Sequence, residues 1–145
     1  MTIIGGFSIG ASMAWYTACQ QGERASAMVT FSGVFWDPLP KPTDCAPDIP
    51  QMIHFHGTAD TVFPLAGRAI GKGLHQGDTL KSIAVLRERA GCDLSRAYSK
   101  TIDGTDCEGV HDCTGGDSVL CIHGGGHEAR ADMLDAALTM IGYPK

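Results

Sequence analysis

Three short segments of this 145-residue chain carry side chains that together could run nucleophilic chemistry. The first is Gly6-Phe7-Ser8-Ile9-Gly10, a G-x-S-x-G pattern. A serine in this pattern becomes a nucleophile when a sharp strand-to-helix turn lifts its hydroxyl clear of the sheet. Side chains at the two flanking glycines are expected to collide with the neighbouring strand and helix. The helix that follows aims its positive end at the hydroxyl and favours an anionic intermediate there. The second segment, His56-Gly57-Thr58-Ala59-Asp60, puts a carboxylate just past an apolar run. That is the end of a strand at which α/β sheets bind ligands. The third, Gly124-Gly125-Gly126-His127, carries an imidazole on a glycine loop. A hydroxyl is a weak nucleophile until a base takes its proton, and the base needs an orienting carboxylate. Ser8, Asp60 and His127 are the candidates for nucleophile, acid and base, and each follows a predicted strand.

Each residue also has a plainer reading. Ser8 could mark a glycine turn that packs strand on helix, Asp60 a turn or capping residue before Pro64, and His127 a surface-loop histidine. The relay is favoured because all three fall in one workable order. The other histidines fit less well. His54 and His56 lie in or at the end of a strand and read as packed, His75 lies near a helix end, and His111 lies in a polar loop. His123 and His127 have H-x-x-x-H spacing, but on a glycine loop that lacks the shared face of a helical metal pair. No metal or cofactor is called for. The Ile9 backbone N–H is the candidate donor to an oxyanion. Phe7, Trp36 and Phe63 are candidates to line an acyl or aromatic pocket, although such residues more often serve as core.

The elements that must position these residues alternate between strand and helix. Thr2-Ile3-Ile4 reads as the end of a buried strand, and residues 9 to 21 as a helix stopped by Gly22. Strands are predicted over 27–31 and 52–56, with a proline-rich extended loop over 37–50 between them. A helix is placed where Pro64 could start it, and a firmer one over 79–90, with Thr79 as cap and Leu80, Ile83, Ala84 and Arg87 at helical spacing. A strand over 97–102 is followed by a polar, glycine- and cysteine-rich loop over 103–117 and a strand over 118–122. A last helix covers 129–141, with Met133, Ala136, Ala137, Met140 and Ile141 on one face. The pattern predicts an α/β architecture with a mostly parallel sheet flanked by helices.

Composition bounds the rest. Hydrophobic residues make up 43% and charged residues 19%, as in a globular domain. The formal net charge of -5 argues against nucleic acid and anionic membranes as partners. Six cysteines, none in a CxxC pair, suggest disulfides and an oxidising, extracellular setting, with the pairing left open.

On Gly6-Phe7-Ser8-Ile9-Gly10-Ala11-Ser12-Met13, Ile53 through Asp60, and Ile122-His123-Gly124-Gly125-Gly126-His127, the chain resembles the polyhydroxybutyrate depolymerase and feruloyl esterase-like family of secreted α/β-hydrolases. The resemblance covers nearly the whole chain. It implies an exported serine esterase with an ester substrate, small or polymeric, and no cofactor. Two features depart from the family. Glu128-Ala129-Arg130 stands where an aromatic residue and a proline commonly follow the base. Seven residues precede Ser8, so residues 1–145 are expected to be the C-terminal portion of a single esterase domain, with a partial α/β-hydrolase fold and the second oxyanion donor outside the chain. Two other readings compete: a prolyl-oligopeptidase-type serine peptidase, which shares the serine, acid, base order, and an inactive or non-catalytic relative.

Overall fold

A computed structural model describes residues 1–144. Strands β1 (Ile3–Phe7), β2 (Ala27–Phe31), β3 (Gln51–Gly57) and β8 (Gly116–His123) lie side by side in that order and pair in parallel. Beyond β8 the sheet continues through β7 (Thr105–Cys113), which is antiparallel to β8, and β6 (Ala97–Ile102), which is antiparallel to β7. Five of the six strands therefore point the same way, as the alternating pattern predicts. A separate two-stranded ribbon joins β4 (Ala69–Ile70) to β5 (Leu74–His75).

Both faces of the sheet are covered. Helix α1 (Ile9–Gln21) buries Ala11, Ala14, Trp15, Ala18 and Cys19, a stripe at the i, i+3, i+4, i+7 spacing of one helix face. Its alanines let the helix lie close to β1 and β2. Helix α2 (Thr79–Arg89) packs Ile83 and Leu86 on the same side, against a core that includes Met28, Phe35, Met52 and Phe63. Helix α3 (Ala131–Met140) covers the opposite face, where Met133 and Ala137 meet Val29, Phe31, Ile53 and Phe55. Period-2 alternation divides β3 accordingly. Met52, His54 and His56 point one way, and Ile53 and Phe55 the other.

Three disulfides brace this arrangement, and no cysteine is free among the described residues. Cys19–Cys45 ties α1 to the proline-rich loop, Cys92–Cys113 ties the segment after α2 to the end of β7, and Cys107–Cys121 joins directly opposed residues of β7 and β8. Arg87 adds a polar staple. Its buried guanidinium donates to Ser118 Oγ at 2.9 Å and to the Ser118 carbonyl at 3.1 Å, and it pairs with Glu108 at 3.0 Å.

Several expectations need correction. The predicted loop over 103–117 is largely strand β7, because Thr105, Cys107 and Gly109 turn inward while Asp106 turns to solvent. No helix begins at Pro64, where the chain runs through turns. Asp78 caps α2 by accepting from Lys81 N at 2.8 Å, and Thr79 is instead a buried first residue of the helix. Leu80 sits on the outer face of α2, 63% exposed. His75 and His111 lie on strands β5 and β7. No helix among the described residues is long and apolar enough to cross a membrane.

Candidate active site

Ser8 stands between β1 and α1 with φ 58° and ψ -122°. This left-handed backbone is unfavourable for any residue with a Cβ, so the surroundings must enforce it. Two backbone bonds do so: Ser8 N–H donates to the Phe31 carbonyl at 2.9 Å, and the Ser8 carbonyl accepts from Ser12 N at 3.1 Å. Steric closeness does the rest. A Cβ on Gly6 would come within 2.3 Å of the Gly10 backbone carbon, and one on Gly33 within 2.1 Å of the Ser8 carbonyl oxygen. Gly10 does not behave as the motif suggests, because a Cβ there meets nothing within 4 Å. The tight second glycine is Gly33, from the loop after β2.

The three candidates converge from the C-terminal ends of β1, β3 and β8. His127 Nε2 lies 2.9 Å from Ser8 Oγ, and His127 Nδ1 lies 2.9 Å from Asp60 Oδ2 and 3.1 Å from Oδ1. A carboxylate can only accept, so Nδ1 carries the imidazole proton and Nε2 offers its lone pair to the serine hydroxyl. Asp60 is buried at 4% exposure and further accepts from Val62 N at 3.0 Å and Phe63 N at 2.8 Å, both on Oδ1. Asp60 is therefore locked by its own turn, with Oδ2 the oxygen nearer to His127.

Hydrogen bonds running on beyond the strand ends set the spacing of the loops. Ser32 N donates to the Phe55 carbonyl at 3.0 Å, Thr58 N to His123 at 2.8 Å, and Ala59 N to Gly125 at 3.0 Å. Gly57 brings the acid and base loops into contact, since a Cβ there would lie 2.2 Å from the Gly125 oxygen. Ser32, also left-handed at φ 54° and fully buried, donates its hydroxyl to the Glu128 carbonyl at 3.1 Å and so holds the residue after the base. Sequence reasoning missed Ser32 and Gly33. The available signal was their position after β2, matching that of Ser8 after β1.

Beneath the acid, His54 and His56 are fully buried, as their strand positions suggest. Burial disfavours the charged imidazole, so the pKa of each is lowered. His54 is pushed further down by neighbouring His56, and the backbone of Thr30 opposes the shift. For His56 the Phe63 carbonyl and Asp60 oppose the shift.

The remaining candidates differ in placement. Ile9 is the first residue of α1, where backbone N–H groups have no intrahelical partner. The Phe7 ring is 42% exposed and lies 4.7 Å from the His127 ring, at the mouth of the site. Trp36 is half-buried and donates its indole N–H to Ser12 Oγ at 3.1 Å. Phe63 is core rather than pocket wall. It is 2% exposed, with Trp36 and His56 against its ring. Among the described residues no cluster of three or more His, Cys, Asp or Glu is arranged to hold a metal ion.

A serine on a tight strand-to-helix turn, at the C-terminal end of a mostly parallel sheet covered by helices on both faces, defines an α/β-hydrolase fold. A model of the phospholipase/carboxylesterase family matches residues 1–80, more than half of the chain, and the protein belongs to that family. The matched stretch holds Ser8 and Asp60, while His127 lies beyond it. No curated protein matches the chain.

Proposed function

We propose that the chain is a serine carboxylic ester hydrolase of the polyhydroxybutyrate depolymerase or feruloyl/acetyl-xylan esterase kind. The observation that carries this reading is the 2.9 Å approach of His127 Nε2 to Ser8 Oγ, with Asp60 2.9 Å behind the same ring. Ser8 Oγ attacks the ester carbonyl carbon as His127 Nε2 takes the hydroxyl proton. Asp60 holds the ring's tautomer and stabilises the imidazolium. The carbonyl oxygen becomes an oxyanion, stabilised by the Ile9 N–H at the positive end of α1. Collapse expels the alcohol, which takes its proton from His127 and leaves an acyl group on Ser8. A water molecule, deprotonated by His127, then attacks the acyl-enzyme. The carboxylic acid departs and the serine hydroxyl is restored.

Phe7, exposed beside His127, forms one wall for the substrate. Residues 1–145 act as the C-terminal portion of one esterase domain. The edge of β1, unpaired among the described residues, supports this, with Ile9 and Met13 exposed beside it at 70% and 67%. Three disulfides fit an extracellular setting.

The test is hydrolysis of short-chain p-nitrophenyl esters, with Ser8→Ala as the control and a prolyl peptide anilide as the competing substrate. Ester turnover that disappears with Ser8→Ala supports the reading. Equal turnover by Ser8→Ala refutes it, and preference for the anilide turns it into a peptidase.

A further inference from the structure

His54 and His56 take no part in the Ser8–His127–Asp60 relay, yet they belong to a continuous buried chain of hydrogen bonds that ends at the acid's own turn. Chemistry assigns every proton in that chain. The Phe63 carbonyl can only accept, so His56 Nε2, 2.7 Å away, donates. A neutral ring has one N–H, so His56 Nδ1 accepts, and its partner His54 Nε2 donates at 3.0 Å. His54 Nδ1 then accepts from the Thr30 hydroxyl at 2.8 Å, and Thr30 Oγ1 accepts from the Trp15 indole N–H at 3.1 Å. The chain has a pure donor at one end and a pure acceptor at the other. With two neutral rings, a single arrangement of protons satisfies every link. The Thr79 hydroxyl lies 3.5 Å from His56 Nδ1, farther than the 3.0 Å link from His54 that occupies its lone pair.

This order reaches the acid. Phe63, whose carbonyl His56 holds, gives its own N–H to Asp60 Oδ1 at 2.8 Å, alongside Val62 N at 3.0 Å. Those two donors fix Oδ1, which also lies 3.1 Å from His127 Nδ1, and leave Oδ2 as its nearer partner at 2.9 Å. His56 Nε2 lies 3.6 Å from the same Oδ2, too far for a good hydrogen bond while its proton is committed to Phe63.

We propose that His56, fixed as its Nε2–H tautomer by His54 and Thr30, is a positioning residue for Asp60: it anchors the Phe63 carbonyl and thereby sets the carboxylate orientation that His127 requires. The inference rests on the reading of Asp60 as the acid.

The experiment compares His56→Gln with His56→Asn in the full chain. The glutamine amide N–H reaches the place of Nε2–H and can still hold Phe63, whereas the asparagine amide reaches only the place of Nδ1. With p-nitrophenyl acetate, His56→Gln is expected to stay within about threefold of the parent kcat and His56→Asn to lose about 10²-fold, both with KM changed less than about twofold. A second readout needs no turnover. Histidine ¹⁵N–¹H spectra of the parent should show Nε2–H tautomers at 54 and 56, and the hydrogen-bonded Nδ1–H of His127 should persist in the Gln variant and be lost in the Asn variant. Equal kcat for the two variants overturns the proposal, as does an Nδ1–H tautomer at His56. So do losses in both variants that merely follow their melting temperatures. If Ser8→Ala proves fully active, the triad reading fails separately, and the spectra still decide whether His56 orients Asp60.

Discussion

Replacing Asp60 by asparagine tests the relay at its most informative point. In the parent, Oδ1 accepts from Val62 N at 3.0 Å and Phe63 N at 2.8 Å, while Oδ2 faces His127 Nδ1 at 2.9 Å. Asparagine must place its oxygen where the two backbone donors converge, because an NH2 there would face two N–H groups. Its NH2 therefore takes the place of Oδ2, the nearer contact of His127 Nδ1, and donates to it, while the asparagine oxygen, 3.1 Å from the same nitrogen, is already taken by the two backbone N–H groups and competes weakly for the ring proton. The ring proton is driven to Nε2, which now donates to Ser8 Oγ across the 2.9 Å gap and cannot accept its proton. A wrong tautomer in this geometry costs about 10⁴-fold in kcat, or about 5.4 kcal/mol of transition-state stabilisation. Asp60→Ala imposes no tautomer, so it should be no worse than Asp60→Asn. Steady-state hydrolysis of p-nitrophenyl acetate, with melting temperatures to confirm folding, supplies the measurement. An asparagine variant within tenfold of the parent kcat would refute the argument, as would an alanine variant far below it.

Further outcomes follow from the same structure. His54 and His56 are held neutral by burial, so the unfolded chain binds more protons below its ordinary histidine pKa of 6.5. Stability to urea is then complete above about pH 6.5 and falls by roughly 1.4 kcal/mol per pH unit per histidine as the pH drops toward their folded values. His56 faces Asp60, His123 and His127, and His54 faces His56, so His54→Gln should give a shallower slope than the parent; equal slopes would contradict the assignment. Gly57→Ala should abolish esterase activity by pushing the Gly125 carbonyl, 2.2 Å from the new Cβ, while Gly124→Ala, with nothing within 4 Å, should leave activity and melting temperature nearly unchanged. Likewise Gly6→Ala should be destructive and Gly10→Ala tolerated, which activity and thermal melting check together. Removing Cys19–Cys45 by paired serine substitutions opens a loop of 26 residues and should lower unfolding free energy by about 3.5 kcal/mol in denaturant titration.

The meeting of Ser8, Asp60 and His127 was readable because each follows a short apolar run cut off by glycine, and parallel strands deliver such loops to one end of the sheet. The span of α1 and that of β2, buried throughout, were readable for related reasons: the first has small residues on one face, the second is a short run of apolar and β-branched residues. β7 was hidden because Asp106, Glu108, Asp112 and the nearby glycines look like loop composition, although Thr105, Cys107 and Gly109 alternate inward. What makes it a strand is tertiary: pairing with β8 and the disulfide to Cys121. The β4–β5 ribbon has two residues per strand, too few to show a period. The roles of Ser32 and Gly33 could not be read from spacing, because they depend on what lies across from them: the Glu128 carbonyl and the Ser8 carbonyl.

The interstrand bonding that runs past the ends of β2, β3 and β8 has a bearing on how such a protein can be recombined. A one-residue slip between β3 and β8 would shift the base by about 3.3 Å, more than the 2.9 Å link it makes to the acid. A chimaera spliced within a helix keeps the strands aligned and should keep its reactive centre. One that takes β8 from a donor with an alignment offset by one residue would turn its core side chains to the wrong faces and carry His127 away from Asp60.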